Sequence, residues 1–141
     1  MKIAVLNGPN LNRLGKREPE IYGSKTLDDI ADELLSSFPE AEFDFYQSNH
    51  EGDLVDKLSE LADSDFSGII FNPAAYSHTS IALRDAVSGV GIPVIEVHIS
   101  NIHTREAFRH HSFTAEVSKG VIAGLGTDGY LLAARALLGE A

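Results

Sequence analysis

Five short, largely apolar runs divide the chain, and the first four each end in a polar tip. The runs span residues 3–6, 43–46, 68–71, 94–97 and 120–124, and the tips span 7–10, 47–50, 72–73 and 98–100. Apolar runs of this length, bounded by turn-forming residues, predict β-strands. If the strands are parallel, their carboxyl ends share one edge of the sheet, where open α/β sheets bind ligands. The pattern therefore predicts a ligand site at that edge.

Between the runs, apolar residues recur at helical spacing in four segments. The first segment follows Thr26, a predicted N-cap, with Asp29 three residues further on as in a capping box. The apolar positions of the four segments are Leu27, Ile30, Ala31, Leu34 and Leu35; Leu54, Leu58 and Leu61; Leu83, Ala86, Val87 and Val90; and Tyr130, Ala133, Ala134 and Leu137. Each set falls on one helical face, which predicts four helices with one buried side each.

Strands that alternate with helices predict a parallel sheet covered on both faces, because parallel strands need crossover connections. We expect an α/β, flavodoxin-like three-layer sandwich with five parallel strands in the order 2-1-3-4-5. The second run alternates polar and apolar residues over 42–45, as an edge strand does, whereas the first and third runs are continuously apolar. With 141 residues, 43% of them hydrophobic, residues 1–141 are predicted to form one domain.

One strand-to-helix connection, from Gly8 to Lys25, is far longer than the usual few residues. Its composition favours an active-site loop that moves, at about residues 11–24, over disorder. The predicted apolar anchors and glycine hinges of this loop are Leu11, Leu14, Ile21 and Tyr22, with Gly15 and Gly23.

The chain is acidic, with a formal net charge of −10 from 21 acidic and 11 basic residues. A nucleic-acid partner is not expected, because phosphate binding needs a basic face. An anionic small molecule would need a patch of positive charge on this acidic chain. Two pairs of arginines offer such charge: Arg13 and Arg17 in the long loop, and Arg105 and Arg109 after the fourth strand.

The sequence has no cysteine, which excludes disulfides, thiolate metal ligands and a cysteine nucleophile. It begins with Met1 and Lys2 and enters a strand at once, with no signal-peptide pattern and no apolar stretch long enough for a membrane. We therefore expect a cytoplasmic protein without a membrane partner.

Two pairs of residues stand out as candidates for acid–base chemistry. Tyr22 is either an anchoring aromatic or a base, and Arg17 is the nearby cation that would favour its phenolate form. His98 is either a structural or a catalytic histidine, and Glu96 lies two residues before it on the same strand face. A carboxylate there would fix the tautomer of the imidazole and raise its basicity.

Other chemistries find less support. The histidines at 98, 103, 110 and 111 match no spacing with known ligand geometry, so no metal site is predicted. No Gly-x-Ser-x-Gly elbow is present, and neither a Walker loop nor a Gly-x-Gly-x-x-Gly fingerprint follows the first strand. The turn at 7–10 is open to two interpretations, a plain turn or part of a site.

Six segments carry a resemblance to a known family: 8–12 (GPNLN), 14–23 (LGKREPEIYG), 47–52 (QSNHEG), 72–80 (NPAAYSHTS), 96–101 (EVHISN) and 109–112 (RHHS). Together these segments resemble the type II 3-dehydroquinate dehydratases. They follow the order of the family over nearly the whole chain. The resemblance implies a hydro-lyase that reversibly dehydrates 3-dehydroquinate to 3-dehydroshikimate through an enolate, with no metal or organic cofactor.

The resemblance also implies a role for each site residue. Tyr22 would be the general base, Arg17 the cation that makes its phenol acidic, and Asn10 the holder of a water that stabilises the enolate. His98 would protonate the departing hydroxyl, with Asn72 and Glu96 helping to place it. The remaining residues would bind substrate: the amides of Ile99 and Ser100 its carboxylate, His78 and Arg109 its ring hydroxyls, and Asp85 from a neighbouring subunit. The implied assembly is a homododecamer, a tetramer of trimers.

Three alternatives stay open at this stage. A lysine-imine route is disfavoured, because Lys16 is the only lysine near the predicted site. A non-catalytic receiver module would need a cluster of acidic residues at the end of the first strand, where this chain has NGPN at 7–10. A flavin-binding module would make the purified protein yellow. A metal-dependent hydrolase built on the histidines would lose activity on chelation.

Overall fold

The computed structural model describes residues 1–139; Glu140 and Ala141 of the predicted domain lie outside the described residues. The strands are β1 (Lys2–Asn7), β2 (Glu42–Gln47), β3 (Gly68–Asn72), β4 (Val94–His98) and β5 (Gly120–Ala123). The helices are α1 (Pro19–Tyr22), α2 (Leu27–Ser37), α3 (Glu51–Ala62), α4 (Ile81–Gly89) and α5 (Asp128–Leu138). The strands are parallel and pair in the order β2-β1-β3-β4-β5, which confirms the predicted topology.

The helices form a layer on each face of the sheet. Alternate residues of β1 point to opposite faces, so that Val5 packs with Leu34 of α2 and Tyr130 of α5 in one cluster. Leu6 packs in the other cluster with residues of α3 and α4, among them Leu58. The three-layer sandwich is confirmed, and its two apolar clusters hold the sheet between them.

The predicted start of α2 is also confirmed. The Thr26 hydroxyl accepts from the Asp29 amide at 3.1 Å, while the Asp29 carboxylate accepts from the Thr26 amide at 2.9 Å. The assignment of Leu35 to the buried face of this helix is wrong, because its side chain is 48% exposed. Successive residues of a helix are turned by about 100°, so Leu35 faces away from the core that Leu34 fills.

The fifth strand is shorter than predicted and ends at Ala123. Gly124 has left the strand with φ of +87°, and a Cβ atom there would lie 2.9 Å from Cβ of Asn101. A glycine is therefore required where the chain passes close behind the loop after β4.

The long connection after β1 contains a 3₁₀ turn (Leu11–Arg13) and the one-turn helix α1. Leu11 and Leu14 are buried, as predicted, but Ile21 is exposed and does not anchor the loop. The reason is that α1 is a single turn with no buried residue. Within residues 1–139, no helix is long and apolar enough to cross a bilayer.

Candidate active site

A cavity of about 200 Å³ opens at the carboxyl ends of β1, β3 and β4, the edge that the sequence pattern predicted. It is lined by most of the predicted site residues, from both the strand ends and the long loop: Asn10, Arg17, Tyr22, Asn72, His78, His98, Ile99, Ser100 and Arg109. Arg105 also lines it, and no lysine of the described chain does. Glu96 lies behind His98, and Asp85 is exposed on α4, outside this cavity.

A wider cleft of about 640 Å³ adjoins this cavity at the end of α1 and the residues that follow it. The two share four wall residues, Tyr22, Ile99, Ser100 and Arg105, but His98 lines the smaller one. The smaller cavity therefore brings the candidate acid and base together.

One side of the cavity is formed by a histidine–carboxylate pair on β4. Nε2 of His98 lies 2.8 Å from Oε2 of Glu96, and both side chains are buried. Because a carboxylate accepts, Nε2 of His98 carries the proton in this contact. The His78 ring lies beside that of His98, with centroids 6.0 Å apart at 23°.

Glu96 is ionised although no part of it reaches solvent. Burial alone raises the pKa of its carboxyl, but hydrogen bonds from His98, Thr114 and Ser112 outweigh burial and hold that pKa below the ordinary value. The Ser112 hydroxyl donates to Oε2 at 2.7 Å, and the Thr114 hydroxyl donates to Oε1. The charge on Glu96 is therefore stabilised by three donors rather than by water.

A second part of the cavity wall is formed by a phenol with two guanidinium groups close to its ring. Cζ of Arg17 lies 4.9 Å from the centroid of the Tyr22 ring, which places this cation over the ring face. Nη1 of Arg105 donates to the Tyr22 hydroxyl at 2.8 Å and also contacts Oγ of Ser100 at 3.2 Å. The structure thus brings Arg17 to Tyr22 as the sequence suggested, but a second arginine makes the hydrogen bond to the hydroxyl.

Arg105 is the residue that sequence reasoning missed as a partner of Tyr22. Its position after β4 marked it as a source of local positive charge, but 83 residues separate it from Tyr22. Only the fold could show that the long loop lies against this segment.

The amide of Asn72 is held by an internal network beneath the cavity. It donates to the Tyr130 hydroxyl at 2.9 Å and accepts from the Ala74 amide at 3.0 Å. Tyr130 in turn donates to Asn7 at 2.5 Å, and burial raises the pKa of this phenol far above its usual range. Among residues 1–139 no hydrogen bond joins Asn72 to His98, so the amide orientation is set by Tyr130 and Ala74.

The remaining lining residues are also fixed by contacts. Nδ1 of His78 donates to the backbone oxygen of His111 at 2.8 Å, and burial lowers the pKa of His78, so its ring is neutral near pH 7. Nε of Arg109 contacts Oε1 of Glu106 at 3.0 Å. Asn10 adopts φ of +69°, and its backbone amide donates to Asn49 at 2.9 Å.

The histidines do not form a metal centre in the part of the chain that the structure describes, where no group of three or more histidine or carboxylate side chains is placed to hold an ion. His110 contacts the backbone oxygen of Arg105 at 2.9 Å, and His111 contacts Glu116 at 2.5 Å. Both therefore have partners other than a metal.

These features define a class of protein: an α/β enzyme with a small acid–base site at the carboxyl edge of its sheet. A phenol beside guanidinium groups faces an imidazole backed by a carboxylate across one cavity. Such a pair suits removal of one proton and delivery of another.

Comparison with known proteins gives the family. The model of the dehydroquinase class II family matches residues 1–138. A 3-dehydroquinate dehydratase of Bacillus pumilus is 56% identical over 138 residues, covering 96% of this chain and 93% of that protein. One from Pelodictyon phaeoclathratiforme is 57% identical over 140 residues, covering 99% and 93%.

A solved structure agrees with the sequence relatives. The type II dehydroquinase of Butyrivibrio crossotus superposes with a TM-score of 0.95 at 46% identity, covering 98% of this chain and 97% of that one. This chain belongs to the class II dehydroquinase family.

Proposed function

We propose that this chain catalyses the reversible dehydration of 3-dehydroquinate to 3-dehydroshikimate, in the shikimate pathway to aromatic amino acids or in quinate catabolism. The observation that carries the proposal is the pairing of Tyr22–Arg105 with His98–Glu96 across one cavity. The curated relatives are named 3-dehydroquinate dehydratase, which supports this reaction.

The first half of the reaction is removal of a proton alpha to the ketone. A carbon acid of this kind is weak, so the enzyme needs a strong base and a stabilised enolate. Tyr22 as phenolate takes the proton, and the guanidinium of Arg105 favours that anion through the 2.8 Å hydrogen bond. Arg17 adds positive charge over the ring, and a water held by Asn10 stabilises the enolate oxygen.

The second half is loss of the hydroxyl group. The imidazolium of His98 gives its proton to the departing oxygen, which leaves as water while the enolate electrons form the new double bond. Tyr22 has then gained the proton that His98 lost, and transfer between them through solvent resets the site. Glu96 favours the charged imidazole from behind.

Substrate binding uses the rest of the cavity wall. The backbone amides of Ile99 and Ser100 bind the carboxylate, His78 and Arg109 bind the ring hydroxyls, and Asn72 also contacts the substrate from the cavity wall. The loop at about 11–24 closes over the substrate and brings Tyr22 with it. None of these steps uses a metal or an organic cofactor.

We also propose a cytoplasmic homododecamer, built as a tetramer of trimers, in which Asp85 reaches the site of a neighbouring subunit. Two exposed apolar side chains support a subunit contact: Ile81, at 60% exposure, lies on the same helix as Asp85, and Phe108, in the 3₁₀ turn Ala107–Arg109, is 67% exposed. Multi-angle light scattering of the purified protein tests this directly, and a monomer in solution would contradict it.

The function itself is tested by mixing the protein with 3-dehydroquinate and following the ultraviolet absorbance of the conjugated enone. We expect a rise in absorbance that a chelator does not slow and that borohydride does not stop. Inactivation by borohydride only when substrate is present would instead indicate a lysine imine, and the absence of any absorbance change would refute the proposal.

A further inference from the structure

The carboxylate behind His98 is enclosed by hydroxyl groups from a segment that carries no predicted catalytic residue. Thr114 and Glu96 have no solvent exposure, and Ser112 is 7% exposed. Ser112 donates to Oε2 of Glu96 at 2.7 Å, and Thr114 donates to Oε1. Both oxygens of the carboxylate therefore accept a hydrogen bond from a hydroxyl group, and Oε2 also accepts one from the imidazole.

This arrangement determines which nitrogen of His98 faces the cavity. Nε2 donates a hydrogen bond to Oε2 of Glu96, which also accepts one from the Ser112 hydroxyl. Nδ1 of His98 has no hydrogen-bond partner among residues 1–139. Every buried side-chain nitrogen or oxygen in that range does have a partner, so Nδ1 is not a buried atom. Nδ1 is therefore the ring atom that opens on to the cavity lined by His98.

The segment that carries the two hydroxyls is itself firmly attached. The Ser112 hydroxyl accepts from the Ala115 amide at 3.1 Å, and the Phe113 amide donates to the backbone oxygen of Ser77 at 2.7 Å. The preceding residue, His111, offers the backbone oxygen that holds His78. One segment thus fixes the surroundings of both histidines that line the cavity.

We propose that Ser112 and Thr114 are positioning residues: their hydroxyls hold Glu96 as an oriented carboxylate, so that His98 presents Nδ1 to the substrate. The consequence for the reaction rests on the function proposed above, but the effect on Glu96 does not. Removing a donor from a buried carboxylate destabilises its charged form, because no water can replace the lost hydrogen bond. The hydroxyl of Thr114 is the sharper probe, since it is the one side-chain donor that the described residues offer to Oε1.

The other ionisable groups around the cavity also influence the titration of Glu96, so the variants used to test the proposal must leave these groups in place. Those that face the Glu96–His98 pair from the neighbouring elements are His78, Arg109, Arg17, Tyr22 and Arg105. A substitution at residue 112 or 114 replaces none of these residues.

The experiment compares Thr114→Val, which keeps the shape and removes the hydroxyl, with Thr114→Ser, which keeps the hydroxyl. Ser80→Ala is the control for loss of a buried hydroxyl elsewhere, since Ser80 is 2% exposed and caps α4 through the Leu83 amide at 2.9 Å. The carboxyl carbon of Glu96, labelled with ¹³C, is titrated by NMR in the folded protein without substrate. Ser112→Ala provides a second variant for the case that Thr114→Val does not fold.

We expect the titration midpoint of Glu96 to rise by about one to two pH units in Thr114→Val, from the loss of one hydrogen bond to a charged group. It should return to within a few tenths of the parent value in Thr114→Ser and should not move in Ser80→Ala. A midpoint in Thr114→Val equal to that of the parent, or an equal shift in Thr114→Ser, would overturn the proposal.

The kinetic consequence is measured on the same proteins. We expect kcat of Thr114→Val to fall about tenfold with little change in KM, since misplacement of His98 affects the transition state more than binding. An unchanged kcat together with a shifted carboxyl titration would overturn the positioning role. If the parent itself does not dehydrate 3-dehydroquinate, the proposed function fails, and the NMR titration still decides the role of the hydroxyls.

Discussion

The two sides of the cavity are built in opposite ways. The His98–Glu96 side belongs to a central strand and is buried, and both carboxylate oxygens of Glu96 accept hydrogen bonds. The Tyr22 side belongs to a one-turn helix in the long loop, where no residue of α1 is buried. The candidate acid His98 is thus fixed by the core, whereas the candidate base Tyr22 depends on two arginines and on the loop.

This difference has a physical basis in the reaction. A buried, fully bonded pair keeps its geometry without any ligand, which lowers the reorganisation needed when the proton is delivered. A loop can open to admit substrate and close to exclude water, which a strand cannot do. The comparison predicts that substitutions on the strand side affect both stability and turnover, while those on the loop side affect mainly turnover.

The largest effect is expected at Tyr22. Tyr22→Phe removes the base but keeps the ring between the two guanidinium groups, so we expect kcat to fall by about 10³- to 10⁴-fold. The free energy of unfolding should change by less than about 0.5 kcal/mol, since phenylalanine keeps the partly buried ring that packs against the core cluster. Steady-state kinetics and urea unfolding measure both, and near-normal turnover would refute the assignment of the base.

The next effect is expected at His98. His98→Ala should lower kcat by about 10²- to 10³-fold with a much smaller change in KM, because the proton is delivered in the transition state. Unlike Tyr22→Phe, it should also destabilise the fold by about 3 kcal/mol, since it leaves the buried Glu96 carboxylate without one of its three hydrogen-bond donors. A loss confined to KM would reduce His98 to a binding residue.

A smaller effect separates the two arginines. Arg105→Ala removes a charged hydrogen bond to the hydroxyl, worth about 1.5–3 kcal/mol, and should lower kcat by about 10- to 100-fold. Arg17→Ala removes a cation over the ring face, worth about 1–2 kcal/mol, and should cost about tenfold. The reverse order in side-by-side kinetics would make Arg17 the main partner of the phenolate.

The strand side also predicts a dependence of stability on pH. The folded pKa of Glu96 lies below its ordinary value of 4.5, so its charge stabilises the fold above that pH, and this contribution is lost as pH falls through the folded value. Glu96→Gln should therefore lose about 1–3 kcal/mol at pH 7 and less near pH 3. Urea unfolding at the two pH values measures this, and an equal loss at both would contradict an ionised Glu96.

The smallest effect concerns the loop. Gly15 and Gly23 have φ of +91° and +80°, but an added Cβ at Gly15 would lie 2.9 Å from the Ser24 oxygen, whereas Gly23 has open space. Gly15→Ala should lower kcat/KM several-fold more than Gly23→Ala, because only the first adds a backbone clash to the strain of about 1–2 kcal/mol. Equal kinetics for the two variants would show that the loop conformation at Gly15 is not needed for activity.

The sequence predicted the scaffold well because its signals are local or periodic. The apolar runs, the Thr26 capping box and the polar strand tips each report on a few neighbouring residues, and the sheet order follows from them. Two of the errors are of one kind: Leu35 and Ile21 are apolar residues assigned to buried positions that they do not occupy. Composition indicates that a residue is apolar, but only the packing decides whether its face meets the core.

The site could be predicted only in part, because only some of its contacts lie within a local pattern of the sequence. Glu96 and His98 are two apart on a strand, so their contact follows from the pleat. The bond from Arg105 to Tyr22 and the hydroxyls of Ser112 and Thr114 join residues 16 to 83 positions apart. Such contacts depend on how a loop and an irregular segment lie across the sheet, which no local pattern specifies.

The central claim is that Tyr22 forms the enolate and His98 then expels the hydroxyl. Its most direct test is proton NMR of 3-dehydroquinate in deuterium oxide with each variant, recording exchange of the proton alpha to the ketone alongside formation of the enone. His98→Ala should catalyse exchange with little elimination, and Tyr22→Phe should catalyse neither. Exchange that persists in Tyr22→Phe, or that disappears in His98→Ala, would contradict this division of roles.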